Sequence, residues 1–303
     1  MSARARVIVD NDFAGDPDGL FQLAHHVLCT SVEVALVIAS RLPDHMVGPE
    51  DDSTRKGAEA ADHVLELAGS DLRAMPGSRR ALVAGDAPSS SRAAEAIVTE
   101  AMRDDTHLPL YYAAGGGLTE LAAALRIEPA IVDRLTLVWI GGHGYGSPAQ
   151  APEFNTSADL GAAQIVFGSR LPIWQVPEPT YAQCLVSWAE LDRDIAPLGV
   201  LGSHLVGRWR EFTRRLEDRL DVNLGECAVL GDSPLVLLTA LQASFRPEPT
   251  SSPSQLLPRL AIRDDGTYGE PQTGLPHVRV FTGVDMRLLY GDLVAKLAAR
   301  AAE

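Results

Sequence analysis

Asp10, Asp12, Asp16 and Asp18 place four carboxylates within nine residues, directly after the apolar run Arg6-Val7-Ile8-Val9. Gly15 and Pro17 bend the chain between them. So many acids held together repel one another unless a cation joins them. Oxygen-only ligands favour Ca²⁺ or Mg²⁺ over Zn²⁺. An acid left beside such a cation can take a proton from water as a general base. The plainer alternative for any single one of these residues is a cap on the following helix.

Three later segments carry chemistry of the same kind. Ala113-Ala114-Gly115-Gly116-Gly117-Leu118-Thr119-Glu120 joins an apolar run to a helical pattern through glycines, which let backbone groups approach a ligand closely. It lacks both the dinucleotide-binding spacing and a Walker lysine. Gly141-Gly142-His143-Gly144-Tyr145-Gly146 is followed by Glu153-Phe154-Asn155, whose carboxylate and amide suit sugar hydroxyls. Gly231-Asp232-Ser233-Pro234 opens an apolar helix, with Asp232 either a cap or a distant fourth wall of the cation site.

The elements that must position these groups alternate. Strands are expected at Arg6–Val9, Val32–Ala39, Leu110–Ala114, Leu135–Ile140 and Ile173–Val176. Helices are expected at Leu20–Cys29, Lys56–Ala68, Arg92–Met102, Leu118–Leu125 and Ala158–Phe167. Polar loops fall at Arg41–Thr54, Arg79–Ser91 and Arg246–Pro258. The second half reads as more helical, at Leu185–Leu191, Leu205–Leu220, Pro234–Ala243 and Asp285–Ala301, with Leu260–Arg263 and Val278–Phe281 as a late strand pair. This pattern is a single α/β domain over residues 1–303 with a helical sub-region. Acids at the carboxyl end of a buried strand stand where open α/β sheets keep their ligands.

Bulk properties narrow the function. The chain of 303 residues is 46% hydrophobic and 22% charged, with a formal net charge of −14. That balance argues against binding a nucleic-acid polymer. Cys29, Cys184 and Cys227 are widely spaced, without zinc or disulfide patterning, which suits a reducing, cytoplasmic compartment. The start of the chain lacks the apolar segment of a signal peptide, and no run reaches the roughly 18 apolar residues of a membrane span.

Taken in order, these segments resemble the nucleoside hydrolase family, the calcium-dependent N-ribohydrolases, in its inosine-uridine-preferring form with a lengthened opening loop. The resemblance covers nearly the whole chain, and Glu153-Phe154-Asn155 with Asp159 and Ala162-Ala163 is its most specific stretch. It implies a mostly parallel, doubly wound sheet. It implies Asp12 as the acid that touches calcium and acts as general base, with Asp10 as its neighbour. Asp18 would hold ribose or share the calcium, Gly115 would offer its carbonyl, and Asp232 would be the late ligand. Glu153 and Asn155 would clamp ribose, and Ile140 stands where many relatives place a Met beneath the sugar. Many relatives are dimers or tetramers.

The departures are specific. Gly19 stands where a second adjacent acid is usual, and either Asp16, inside the lengthened loop, or Asp18 would take its place. Gly231 stands where several relatives place a His that protonates the leaving base. Glu120 replaces an Asn and Leu160 a Pro. His143 and Tyr145 are then the nearest leaving-group candidates. The implied reaction is hydrolysis of the N-glycosidic bond of a ribonucleoside or related riboside. A catalytically weak ribose-binding member is the alternative motivated by Gly19 and Gly231. A haloacid-dehalogenase-type phosphatase fits Asp10, Asp12 and Asp232 superficially, but lacks the expected residue at Ala14 and a suitably placed lysine.

Overall fold

The computed structural model describes residues 2–48, 51–82, 91–147, 151–243, 245 and 251–303. Its strands are β1 (Ala5–Asn11), β2 (Val32–Ala39), β3 (Ala74–Pro76), β4 (Leu110–Ala114), β5 (Leu135–Ile140), β6 (Ile173–Val176), β7 (Leu185–Ser187), β8 (Cys227–Val229), β9 (Ser254–Leu257), β10 (Leu260–Ile262), β11 (Tyr268–Pro271) and β12 (Val278–Phe281). The helices are α1 (Asp18–Val27), α2 (Ser53–Leu67), α3 (Arg92–Ala101), α4 (Thr119–Ile127), α5 (Phe154–Ala158), α6 (Leu160–Phe167), α7 (Glu178–Tyr181), α8 (Trp188–Glu190), α9 (Gly199–Leu220), α10 (Pro234–Thr239) and α11 (Met286–Ala301).

Eight strands form one sheet in the order β3-β2-β1-β4-β5-β6-β12-β9. All neighbours are parallel except β9, which runs antiparallel to β12 at the edge. Side chains alternate across it. Val7 and Val9 of β1 join the core built with α1, α2, α9, α10 and α11. Ile8 joins the opposite core with α3, α4 and α6. Burial on both faces explains why the central strands read as continuous apolar runs. The chain winds outward from β1 through β2 to β3, then restarts on the other side with β4. The reversal lies between β1 and β4, so their carboxyl ends border a crevice suited to a ligand.

Several elements differ from the sequence expectation. The stretch Leu185–Leu191 begins as β7, paired antiparallel with β8, before α8 and a π-helical turn at Leu191–Ile195. Its strand partner lies some forty residues on and leaves no local trace. β10 and β12 do not pair with each other: β10 pairs with β11, and β12 sits between β6 and β9. The expected helix over Ala158–Phe167 is α5 and α6, broken at Asp159, whose carboxylate accepts from Ala162 N at 2.9 Å and starts the second helix. Residues 49–50, 83–90 and 246–250 of the expected loops lie outside the described residues. Among the described residues, no helix is long and apolar enough to cross a membrane.

Candidate active site

β1 runs two residues past its apolar stretch, so Asp10 and Asn11 are strand residues rather than part of the turn. Asp10 is fully buried and accepts from the hydroxyl of Tyr112 on the neighbouring β4, while its backbone oxygen accepts from Gly115 N at 2.9 Å. Burial, helped by Glu120 nearby, pushes its carboxyl up to about 8. Asp10 thus ties β1 to the start of the glycine turn and does not line the cavity in front of it.

The next three acids do line it, together with Asp232. A 2.7 Å bond from Gly15 N to Asp12 O closes the turn and brings Asp16 back toward Asp12. Asp18 opens α1; its Oδ1 accepts from Gly19 N at 2.9 Å and its Oδ2 from Asp232 N at 3.0 Å. That second bond joins segments more than two hundred residues apart. Burial pushes the carboxyls of Asp12 and Asp18 well upward, and repulsion from neighbouring acids, Asp16 first, adds to it. Asp232 is pushed up to about 8 by the same causes. Asp16 is raised by burial and shares a hydrogen bond with Asp18. Among the described residues the cavity wall carries four desolvated acids and no cationic side chain, a donor set for a hard divalent cation.

Asn11 explains the absent acid at position 19. A Cβ on Gly19 would lie 2.7 Å from the Asn11 side chain, and one on Gly115 only 2.2 Å from Asn11 Nδ2. Asn11 therefore fills the volume that a side chain at 19 would need. Its Nδ2 donates to Asp232 Oδ2 at 2.8 Å and to Gln22 Oε1 at 3.4 Å, and its Oδ1 is buried without a protein partner. The chain of contacts continues from Gln22 Nε2 to His26 Nδ1 at 2.5 Å, then from His26 Nε2 to Thr239 Oγ1 at 2.8 Å, and from Thr239 Oγ1 to Leu235 O at 2.7 Å. This order of donors requires a neutral imidazole with its proton on Nε2. It also accounts for the burial of Gln22 and His26 on α1.

The opposite wall comes from β5 and α5. Asn155 Nδ2 donates to Ile140 O at 2.9 Å and to Gly115 O at 3.4 Å. Glu153 caps α5 and is almost fully buried: Oε2 accepts from Gly142 N, Thr156 N and Thr156 Oγ1, and Oε1 from Asn155 N and, at 2.8 Å, Tyr181 OH. Burial pushes the Tyr181 phenol upward, so it remains a donor at neutral pH. Its ring lies against Gly231, where a Cβ would sit 3.4 Å from Tyr181 Cδ2.

The cavity holds about 280 Å³. Gly115, Ile140, Glu153 and Asn155 join the four acids on its wall, and Met46, Phe154, Tyr181 and Phe212 provide an apolar rim. His143 is not brought there: Nδ1 faces Glu178 Oε2 at 3.1 Å and Nε2 faces Ala151 O at 2.7 Å. Tyr145 packs on Tyr268 instead. Glu120 accepts from Ser78 N at 2.5 Å and from the Ser91 hydroxyl, holding two loop ends together away from the cavity. Sequence reasoning missed Asn11, Tyr181, Met46 and Phe212. The last three come from separate segments without motif character, while Asn11 could have been suspected from its place between two acids. A tighter group, His25, Cys29 and Asp292 with ligand atoms within 4.8 Å, lies between α1 and α11, where Lys296 already pairs with Asp292.

Comparison with known proteins bears on this geometry. The family model described as "Inosine-uridine preferring nucleoside hydrolase" matches residues 22–290. A curated relative of that description from Crithidia fasciculata is 48% identical over 63 residues, 20% of this chain and 19% of the relative. The chain therefore aligns with only about a fifth of that relative's length. Among solved structures, an inosine-guanosine nucleoside hydrolase superposes with a TM-score of 0.73 at 20% identity, covering 98% of this chain and 99% of the other. A purine-preferring ribonucleoside hydrolase from Gardnerella vaginalis gives 0.72 at 16% identity, again covering 98% and 99%. These superpositions carry the fold, and the family match spans most of the sequence. The chain belongs to the inosine-uridine preferring nucleoside hydrolase family.

Proposed function

We propose that the protein hydrolyses the N-glycosidic bond of a ribonucleoside or related riboside, releasing free base and ribose, with Ca²⁺ as its cofactor. The observation that supports this most is the convergence of Asp12, Asp16, Asp18 and Asp232 with Glu153 and Asn155 on one cavity.

The cation would be held by Asp12, Asp16, Asp18, Asp232 and the Gly115 carbonyl, with Asp16 serving in place of the acid missing at Gly19. When bound, it supplies positive charge and Lewis acidity to the site. Asp12 takes a proton from water as the water oxygen bonds to the anomeric carbon and the carbon–nitrogen bond breaks. The base departs with the bonding electrons, and the surrounding carboxylates favour the oxocarbenium-like charge on the sugar. Asp18, Glu153 and Asn155 orient the ribose hydroxyls over Ile140, turning binding energy into alignment. With His143 away from the cavity, Tyr181, whose ring lies against Gly231, is a hydroxyl donor on the cavity wall.

Asp10 also weighs against the phosphatase alternative, since the nucleophile of that reading would be buried and bonded to Tyr112. The three cysteines are free thiols, in keeping with a cytoplasmic setting. A base-release screen over purine, pyrimidine and nicotinamide ribosides, with and without EDTA, tests the proposal. Release that stops with EDTA and returns with Ca²⁺ is expected. Calorimetric riboside binding with no release would instead favour a ribose-binding member.

A further inference from the structure

A second cavity of about 270 Å³ adjoins the first, and Met46 forms part of both walls. Its character is opposite. The catalytic cavity is lined by acids, whereas among the described residues the annex is lined by Lys56, Arg208 and Arg215 against the one carboxylate of Asp51. Three cations around one small cavity run against the net charge of −14 on the whole chain.

Helix α9 links the two. Arg208, Phe212 and Arg215 recur at the spacing of one helical face. Phe212 reaches the wall of the catalytic cavity, and the two arginines reach the annex beside it. The first turn of α2 closes the annex from below: buried Ser53 lines it and accepts from Leu42 N at 3.1 Å, which leaves its hydroxyl proton to donate. The N-terminus of that helix is already capped by the Asp52 carboxylate, which accepts from Arg55 N at 3.0 Å. Lys56 is paired with Asp51 at 2.6 Å and Arg208 approaches Glu211 at 3.4 Å, so an entering anion would share both cations with these carboxylates.

We infer that the annex receives an anionic substituent carried by the substrate, so that the preferred riboside bears a phosphate or carboxylate that crosses Met46 to reach Arg208 and Arg215. This rests on the riboside-hydrolase reading above. A phosphate on the sugar and a carboxylate on the base present the same chemistry to these cations, and the experiment separates them.

Steady-state kinetics would compare uridine and inosine with their 5′-monophosphates and with orotidine, whose base carries a carboxylate, in wild type and in the Arg208→Ala/Arg215→Ala double variant. The expected result is a KM for one anionic class that rises about tenfold in the double variant, while the KM for the neutral ribosides stays unchanged. That difference should shrink in about 0.5 M salt. Which class responds identifies the source of the anion. Equal effects on neutral and anionic ribosides, or no effect on either anionic class, would overturn the inference while leaving the hydrolase reading in place. If no riboside is cleaved, the same comparison made with dissociation constants from calorimetry decides the inference independently of turnover.

Discussion

The hydroxyl of Tyr181 donates a 2.8 Å hydrogen bond to Oε1 of Glu153, a carboxylate already held by the amides of Gly142, Asn155 and Thr156 and by the Thr156 hydroxyl. Four of those donors belong to the loop and helix that carry Glu153, so they stay when a ligand enters. Tyr181 is the one that comes from the far side of the cavity. A ribose hydroxyl that binds Glu153 must displace or share its bond, which turns the phenol toward the ligand. Tyr181→Phe is expected to fold normally and to lose about tenfold in kcat/KM, the ~1.4 kcal/mol typical of one such hydrogen bond. Unchanged kinetics would show that the hydroxyl serves only to brace Glu153.

Asp12 stands at the centre of the acid cluster, with burial and three neighbouring acids raising its carboxyl. Asp12→Asn keeps the shape and removes both the proposed base and one of the mutually repelling charges. Turnover should fall by roughly 10²–10⁴, while the melting temperature in EDTA holds or rises. Activity within a few-fold of wild type would remove Asp12 from the role of base.

Asn11 and Gly19 form a steric pair. Gly19→Asp would push its Cβ into the Asn11 side chain, which is fixed on Asp232 and Gln22. The expected cost is about 1–3 kcal/mol, the range for overpacking a filled interior. Shortening Asn11 to Ser in the same chain should recover much of it. A double-variant cycle with no coupling by denaturant unfolding would show that the two positions do not compete for space.

Cation removal gives a signed pH dependence. A carboxyl raised by burial contributes stability while it keeps its proton, and that contribution is lost as pH rises from the unfolded value of 3.8 toward the folded one, about 8 for Asp232. In EDTA the melting temperature should therefore fall as pH rises through this window. Added Ca²⁺ should raise it more at pH 8 than at pH 5. Equal gains at both values in a thermal-shift series would contradict a site built from these four acids.

His26 acts in the opposite sense. Burial pushes its imidazole down from 6.5 to about 3. Below 6.5 the unfolded chain takes up a proton that the folded chain refuses, so stability is lost as pH falls toward the folded value. At pH 5 the loss amounts to about 2 kcal/mol. Unfolding of wild type and His26→Gln between pH 7 and pH 5, in saturating Ca²⁺, should show a shallower slope for the variant. Parallel slopes would place the proton elsewhere.

Local sequence settled the first half of the architecture because each strand there is a short apolar run that must be buried on both faces and each helix carries its own periodicity. The spans Leu110–Ala114, Leu135–Ile140 and Ile173–Val176 read in the sequence are those of β4, β5 and β6. The acid turn, the glycine turn and Glu153-Phe154-Asn155 were legible for the same reason, since each is contiguous and ends an element. What depended on contacts distant in the chain was not legible. The pairing of β7 with β8, the place of β12 between β6 and β9, and the bond from Asp18 to the Asp232 amide are examples. The withdrawal of His143 and the entry of Tyr181 are two more, because which side chain reaches a cavity depends on how separate segments pack around it. Sequence alone placed the run of carboxylates at the end of β1. Tertiary structure decided which acids face the cavity, and that Gly19 is a glycine because Asn11 occupies its space.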